Sequence, residues 1–136
     1  MVGTKFKIFV SWDSVETFVD ILCDQITQSG KQVEYIFGMP RGGLIPAVML
    51  SHRLGIPMTQ ELTRQNTLVI DDICDSGETF KELFLKNPDA IFACLHFKPH
   101  TSAFNPNFAA NIFPSDNWIV YPWEQDDSDT IQDYLK

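Results

Sequence analysis

Three short apolar runs in this chain each break off at a loop rich in glycine, proline or charge, and the first two of those loops open helices. Residues 33–39 run into Pro40-Arg41-Gly42-Gly43, after which 44–54 form an apolar helix closed by Gly55 and Pro57. Thr67-Leu68-Val69-Ile70 ends at Asp71-Asp72, and a loop through Gly77 leads to a helix over 79–86, stopped by Asn87-Pro88. Residues 90–97 then run into Lys98-Pro99-His100. Strands that alternate with helices must be joined by crossovers, so the pattern predicts an α/β fold: a mainly parallel, twisted sheet flanked by helices.

The ends of the chain fit around this frame. Phe6-Lys7-Ile8-Phe9-Val10 reads as a strand, and Ser11 or Asp13 can cap a helix whose apolar positions Val15, Phe18, Val19, Leu22 and Ile26 share one face until Gly30. The Pro- and Asn-rich stretch 98–111 reads as loop, and Trp118-Ile119-Val120-Tyr121 as a last strand. The acidic run 124–129 reads as a solvated tail.

With 136 residues, 44% of them hydrophobic, the chain can bury one core, so residues 1–136 are expected to be a single domain. No apolar run approaches the roughly 20 residues of a membrane helix, and Met1-Val2-Gly3-Thr4-Lys5 lacks the regions of a signal peptide, so a cytoplasmic protein is expected. Cys23, Cys74 and Cys94 are odd in number and form no CxxC pair, which speaks for reduced thiols. A net charge of −8 argues against nucleic acid or an anionic membrane as partner. An anionic ligand must then be held locally, by amides at a helix start, by placed cations or by a metal ion.

In a parallel sheet ligands bind beyond the carboxyl ends of the strands, and the three unusual loops all follow strands. In Asp71-Asp72-Ile73-Cys74-Asp75-Ser76-Gly77-Glu78-Thr79 a pair of carboxylates is joined to a small-residue loop that opens a helix. Amides and hydroxyls of that loop suit a phosphate, and the paired acids suit a ribose diol. A calcium loop fails, because Cys74 would stand at its third position and Leu83 at its twelfth. A Walker A loop fails for want of GK[ST]. The spacing of Cys94, His96 and His100 suggests zinc, with Cys94 and His96 on one strand face by alternation, but no fourth ligand is evident.

An apolar strand, two acids and then Asp75-Ser76-Gly77-Glu78-Thr79 resembles the phosphoribosyl diphosphate signature of the type I phosphoribosyltransferases. The resemblance extends from about residue 8 to 124 and is strongest to the bacterial xanthine–guanine members. It runs through Ser11-Trp12-Asp13, Arg41-Gly42-Gly43-Leu44-Ile45-Pro46, Leu54-Gly55-Ile56, Phe97-Lys98-Pro99, Trp118-Ile119 and Pro122-Trp123.

The resemblance implies that family's fold, with a core over 6–97 and a small C-terminal base-binding hood over 98–136. It implies that Asp71 and Asp72 face the ribose hydroxyls and Mg²⁺ and count, with Asp75, as catalytic. Asp75, Ser76, Gly77, Glu78 and Thr79 would hold the 5′-phosphate, Asp75 also sharing the proton of purine N7. Arg41, Gly42 and Gly43 would form the pyrophosphate loop, with a cis peptide before Arg41. Lys98 would read O6 of a 6-oxopurine, Trp118 would stack on the base and Ile119 would contact it. The implied reaction takes phosphoribosyl diphosphate and guanine, xanthine or hypoxanthine to a nucleotide, as in purine salvage.

Like charges about 4 Å apart repel by about 4 kcal/mol at an effective dielectric of 20, so a donor diphosphate beside two aspartates requires the Mg²⁺. Residues 58–66 are too few for the long closing loop of the family, which admits a second reading: a weak or inactive regulatory module that binds phosphoribosyl diphosphate or nucleotide. Arg64 in this turn reads as a surface arginine within reach of the pyrophosphate. A phosphohydrolase ranks third, because no DxD follows a strand. A homo-oligomer, dimer or tetramer, is expected, with the apolar stretch 104–113 as a subunit contact.

Overall fold

The computed structural model describes residues 6–125, and the later part of the acidic run 124–129 lies outside them. Nine elements follow in order: β1 (Lys7–Phe9), α1 (Trp12–Ser29), β2 (Tyr35–Gly38), α2 (Leu44–Leu54), β3 (Thr67–Cys74), α3 (Glu78–Lys86), β4 (Ile91–Phe97), β5 (Phe108–Ile112) and β6 (Trp118–Val120). Helix α1 starts where the hydroxyl oxygen of Ser11 accepts from the Ser14 amide at 3.1 Å, and it turns Val15, Val19, Leu22 and Ile26 inward.

Strands β2, β3, β4 and β5 form one sheet in that order, and every pairing is parallel. Ile36 of β2 pairs with Leu68 on one side and bridges to Met58 on the other, so Met58 is the stub of an edge strand. The chain therefore winds outward through α2 to Met58 and then returns past β2 to β3. That reversal puts α2 and α3 on opposite faces and makes the gap between the ends of β2 and β3 the switch point. Both faces are covered: Leu68, Ile70, Ala93 and Leu95 pack with α1 and α2, while Val69, Phe92 and Cys94 pack with Phe80 of α3.

Three expectations shift. Strand β3 runs through the acidic pair to Cys74, because β4 supplies rungs at Asp71, Ile73 and Cys74 that outweigh the poor strand preference of aspartate. The stretch expected to be loop is instead partly β5, with Phe108 in the core and Phe104 packed on Phe80, Phe84 and Phe92. Strand β6 pairs with β1 in a separate two-stranded sheet, so the division at residue 98 does not follow the sheets. The N-terminal strand pairs with the last one, and β5 joins the main sheet.

Candidate phosphoribosyl-transfer site

At the end of β2, Met39 donates to the Ile70 carbonyl at 2.9 Å, and the chain then leaves the sheet through a cis Pro40-Arg41 peptide, as the family resemblance implied. Gly42 lies against the Asp72 carboxylate so closely that a Cβ there would overlap it. Gly43 is enclosed by main-chain atoms of Met39 and Ile70. The loop thereby touches the acidic pair directly. Arg41 is exposed at its tip; burial raises the proton affinity of Glu124, close to the end of the described residues, and the Tyr121 amide and the Arg41 charge act against that rise.

Asp71 and Asp72 sit beyond the last β2 rung, which pairs Gly38 with Ile70. The Asp71 carboxylate accepts from the Asp72 amide at 2.8 Å. Burial, and then the charge of Asp72, raise the proton affinity of Asp71 well above the ordinary carboxylate range, and burial raises that of Asp72. Two desolvated acids side by side fit a site completed by a cation. Among the described residues no third His, Cys, Asp or Glu joins them in a metal cage. That donor set suits Mg²⁺, which takes one or two protein carboxylates and fills its octahedron with phosphate oxygens and water.

The turn after β3 exposes Asp75 and Ser76 and buries Gly77, which at φ 75° caps α3 in the left-handed region. A Cβ on Gly77 would overlap the hydroxyl of Ser102, and the Ser76 carbonyl accepts from the Ala103 amide at 2.7 Å. The loop that follows β4 thus supports the loop that follows β3. Glu78 is exposed on the first turn of α3, and Thr79 is half-buried.

Lys98 is only 5% exposed, so its ammonium must be partnered. Its Nζ donates to the Asn117 carbonyl at 3.1 Å and stands 3.6 Å from Asp75 Oδ2. Trp118, the next residue after Asn117, is 52% exposed at the start of β6. The Ile119 side chain is packed in the core with α1, which leaves only its main chain for ligand contact. Arg41, the acids, Asp75 and Lys98 are therefore brought to one rim. The segment 58–66 is a turn in which Arg64 lies 4.9 Å over the Tyr35 ring and 3.9 Å from Glu61. It borders an open cavity of about 360 Å³ with Met58, Thr59 and Gln60.

Sequence reasoning missed a hydrogen-bonded chain under the acids. Tyr121 donates from its hydroxyl to the Asp72 carbonyl at 3.0 Å, so His96 Nδ1, 2.8 Å from that hydroxyl, must be the protonated nitrogen that donates to it. Alternation fails locally: His96 packs on Phe18 of α1 while Cys94 lies on the α3 side, because the rung between Asp72 and Leu95 is skipped. The two cannot share a zinc ion. Cys74 is buried with its thiol raised by burial and 3.5 Å from the Ser102 hydroxyl, in keeping with a structural role.

Burial, assisted by the Lys98 charge, lowers the His96 pKa to about 4. An unfolded chain takes up this proton near 6.5, so between pH 6.5 and 4 the unfolded state binds more protons and stability falls with pH. The expected loss is roughly 3 kcal/mol across that window. The acidic pair, with raised proton affinity, acts in the opposite sense. Denaturant midpoints for wild type and His96→Gln, measured from pH 7 to 4, should therefore converge as pH falls. A constant gap would contradict this assignment.

No family model matches the chain. A curated xanthine-guanine phosphoribosyltransferase of Gluconobacter oxydans is 25% identical over 140 residues, covering 85% of this chain and 83% of that protein. One from Idiomarina loihiensis is 27% identical over 142 residues, covering 87% of each. A purine phosphoribosyltransferase of Pyrococcus horikoshii superposes with a TM-score of 0.74 at 28% identity, over 88% of this chain and 95% of that one. A hypothetical protein from Neisseria gonorrhoeae, solved with bound ppGpp, gives 0.75 at 25% identity, over 92% and 93%.

Proposed function

We infer that this chain, a homologue of the purine phosphoribosyltransferases with their type I fold, transfers the phosphoribosyl group of 5-phosphoribosyl 1-diphosphate to a 6-oxopurine and releases pyrophosphate. The observation that carries the reading is the meeting of Asp75 with buried Lys98 just beyond β3, the strand that carries the acidic pair.

In the proposed mechanism the amides and hydroxyls of Ser76 to Thr79 hold the 5′-phosphate at the positive end of α3. Lys98 donates to O6 of the base, and Trp118 stacks on its face. As N9 forms its bond to the anomeric carbon, the Asp75 carboxylate accepts the N7 proton, which keeps the purine electron-rich while the bond to pyrophosphate breaks. Arg41 and the amides of Gly42 and Gly43 hold the departing diphosphate. Asp71 and Asp72 would hold Mg²⁺, which when bound supplies positive charge to the leaving group.

Nucleotide and pyrophosphate are expected in equal amounts, and EDTA should abolish both, with excess Mg²⁺ restoring them. Full activity in EDTA would remove the metal from the reading. The short 58–66 turn favours a second reading, a module that binds a purine nucleotide with little turnover, as water is less well excluded from an unlidded site. Nucleotide binding without product would favour it. A homo-oligomer remains part of the proposal, with exposed Leu44 and Val48 of α2 as apolar surface for the contact.

A further inference from the structure

Asp75 can act on a base only if one carboxylate oxygen is held toward it, yet its side chain is 51% exposed and stands on a turn. A short acid in that setting ordinarily samples several rotamers. Here one neighbour removes that freedom. Thr101 Oγ1 lies 2.7 Å from Asp75 Oδ1, 3.0 Å from the Asp75 carbonyl and 3.4 Å from the Lys98 carbonyl. A hydroxyl has one proton to give, and the charged, shortest acceptor takes it, in the range of charge-assisted O–H···O⁻ bonds. With Oδ1 so engaged, Oδ2 is the oxygen turned toward Lys98, 3.6 Å away.

We propose that Thr101 is a positioning residue whose hydroxyl aims the Asp75 carboxylate, leaving Oδ2 for the purine proton and keeping it in register with the lysine that reads O6. The inference rests on the transfer reading above and adds a residue to it. Bracing the loop does not explain the contact, because the Ala103 amide already fixes the Ser76 carbonyl and the Lys98 amide donates to the Cys74 carbonyl at 3.0 Å. Those bonds survive removal of one hydroxyl.

Thr101→Val keeps the shape and removes the donor, and Thr101→Ser keeps the donor. Thr101→Val is expected to lower kcat about tenfold or more, with KM for the diphosphate donor and Kd for GMP unchanged. Thr101→Ser should restore kcat, and the melting temperatures of all three proteins should agree closely. Equal kcat in Thr101→Val, a parallel loss of GMP affinity, or no rescue by serine would each overturn the proposal. If the wild type makes no nucleotide, the transfer reading fails by itself. The aiming contact is then judged by three-bond NMR couplings of Asp75: one χ1 rotamer in wild type and averaging in Thr101→Val is expected, and identical couplings would refute it.

Discussion

Asp75→Asn is expected to lower turnover by roughly 10²- to 10⁴-fold while leaving nucleotide affinity nearly unchanged. Asparagine keeps the size of the side chain and an oxygen that can accept from Thr101, whose hydroxyl is 2.7 Å from Asp75 Oδ1. What it loses is the ability to take a proton, and with it the charge that faces Lys98 at 3.6 Å. The purine would then have to carry the N7 proton through bond formation, which withdraws electrons from the attacking nitrogen. Steady-state rates with saturating base and donor, together with GMP affinity by calorimetry, separate the two effects. Equal rates would take Asp75 out of proton transfer, and an equal loss of affinity would make it a binding residue instead.

Gly43→Ala should be the most damaging change to the fold at the site, and Gly42→Ala the contrasting one beside it. A Cβ on Gly43 would stand 2.5 Å from the Ile70 carbonyl oxygen, 2.7 Å from that of Met39 and 2.8 Å from the Met39 nitrogen. All three are main-chain atoms that cannot rotate aside. Two bonds are at stake: Met39 to Ile70 at 2.9 Å, which closes the end of β2 onto β3, and Gly43 to Met39 at 2.8 Å. Overpacking alone costs about 1–3 kcal/mol and each lost hydrogen bond about 1, so a loss of about 3 kcal/mol or more is expected from denaturant midpoints. On Gly42 the new carbon would meet the end of the Asp72 side chain instead. That substitution should leave the midpoint closer to wild type and weaken Mg²⁺-dependent donor binding about tenfold or more, the equivalent of about 1.4 kcal/mol. A folded Gly43→Ala with a wild-type midpoint would contradict the packing described for this loop.

The parts of the fold legible in sequence were those written in local chemistry. Ser11 and the apolar spacing behind it marked α1, the glycines marked α2 and α3, and the acid-to-glycine loop after β3 located the candidate site. Long-range pairing hid the rest. Phe108–Ile112 has no β-branched run to announce a strand, and it becomes β5 through rungs to β4 and through Asn107, whose side-chain oxygen accepts from the Phe92 amide at 2.8 Å. Lys7–Phe9 pairs with Trp118–Val120 across most of the chain, which no local pattern encodes. The skipped rung beside Asp72 turned His96 to the side opposite Cys94, and a strict two-residue period could not anticipate it. Thr101 and Tyr121 were silent for the same reason, since a lone hydroxyl gains meaning only from the acid or carbonyl that folding brings to it.

The most direct measurement incubates the chain with Mg²⁺, 5-phosphoribosyl 1-diphosphate and, separately, guanine, xanthine, hypoxanthine or adenine, and separates the products by chromatography. The ammonium of Lys98 is a donor only, so it matches a 6-oxo group and opposes a 6-amino group. The account predicts a nucleoside monophosphate from at least one of the three 6-oxopurines and none from adenine. Nucleotide from adenine alone, or inorganic phosphate released with no base present, would contradict it.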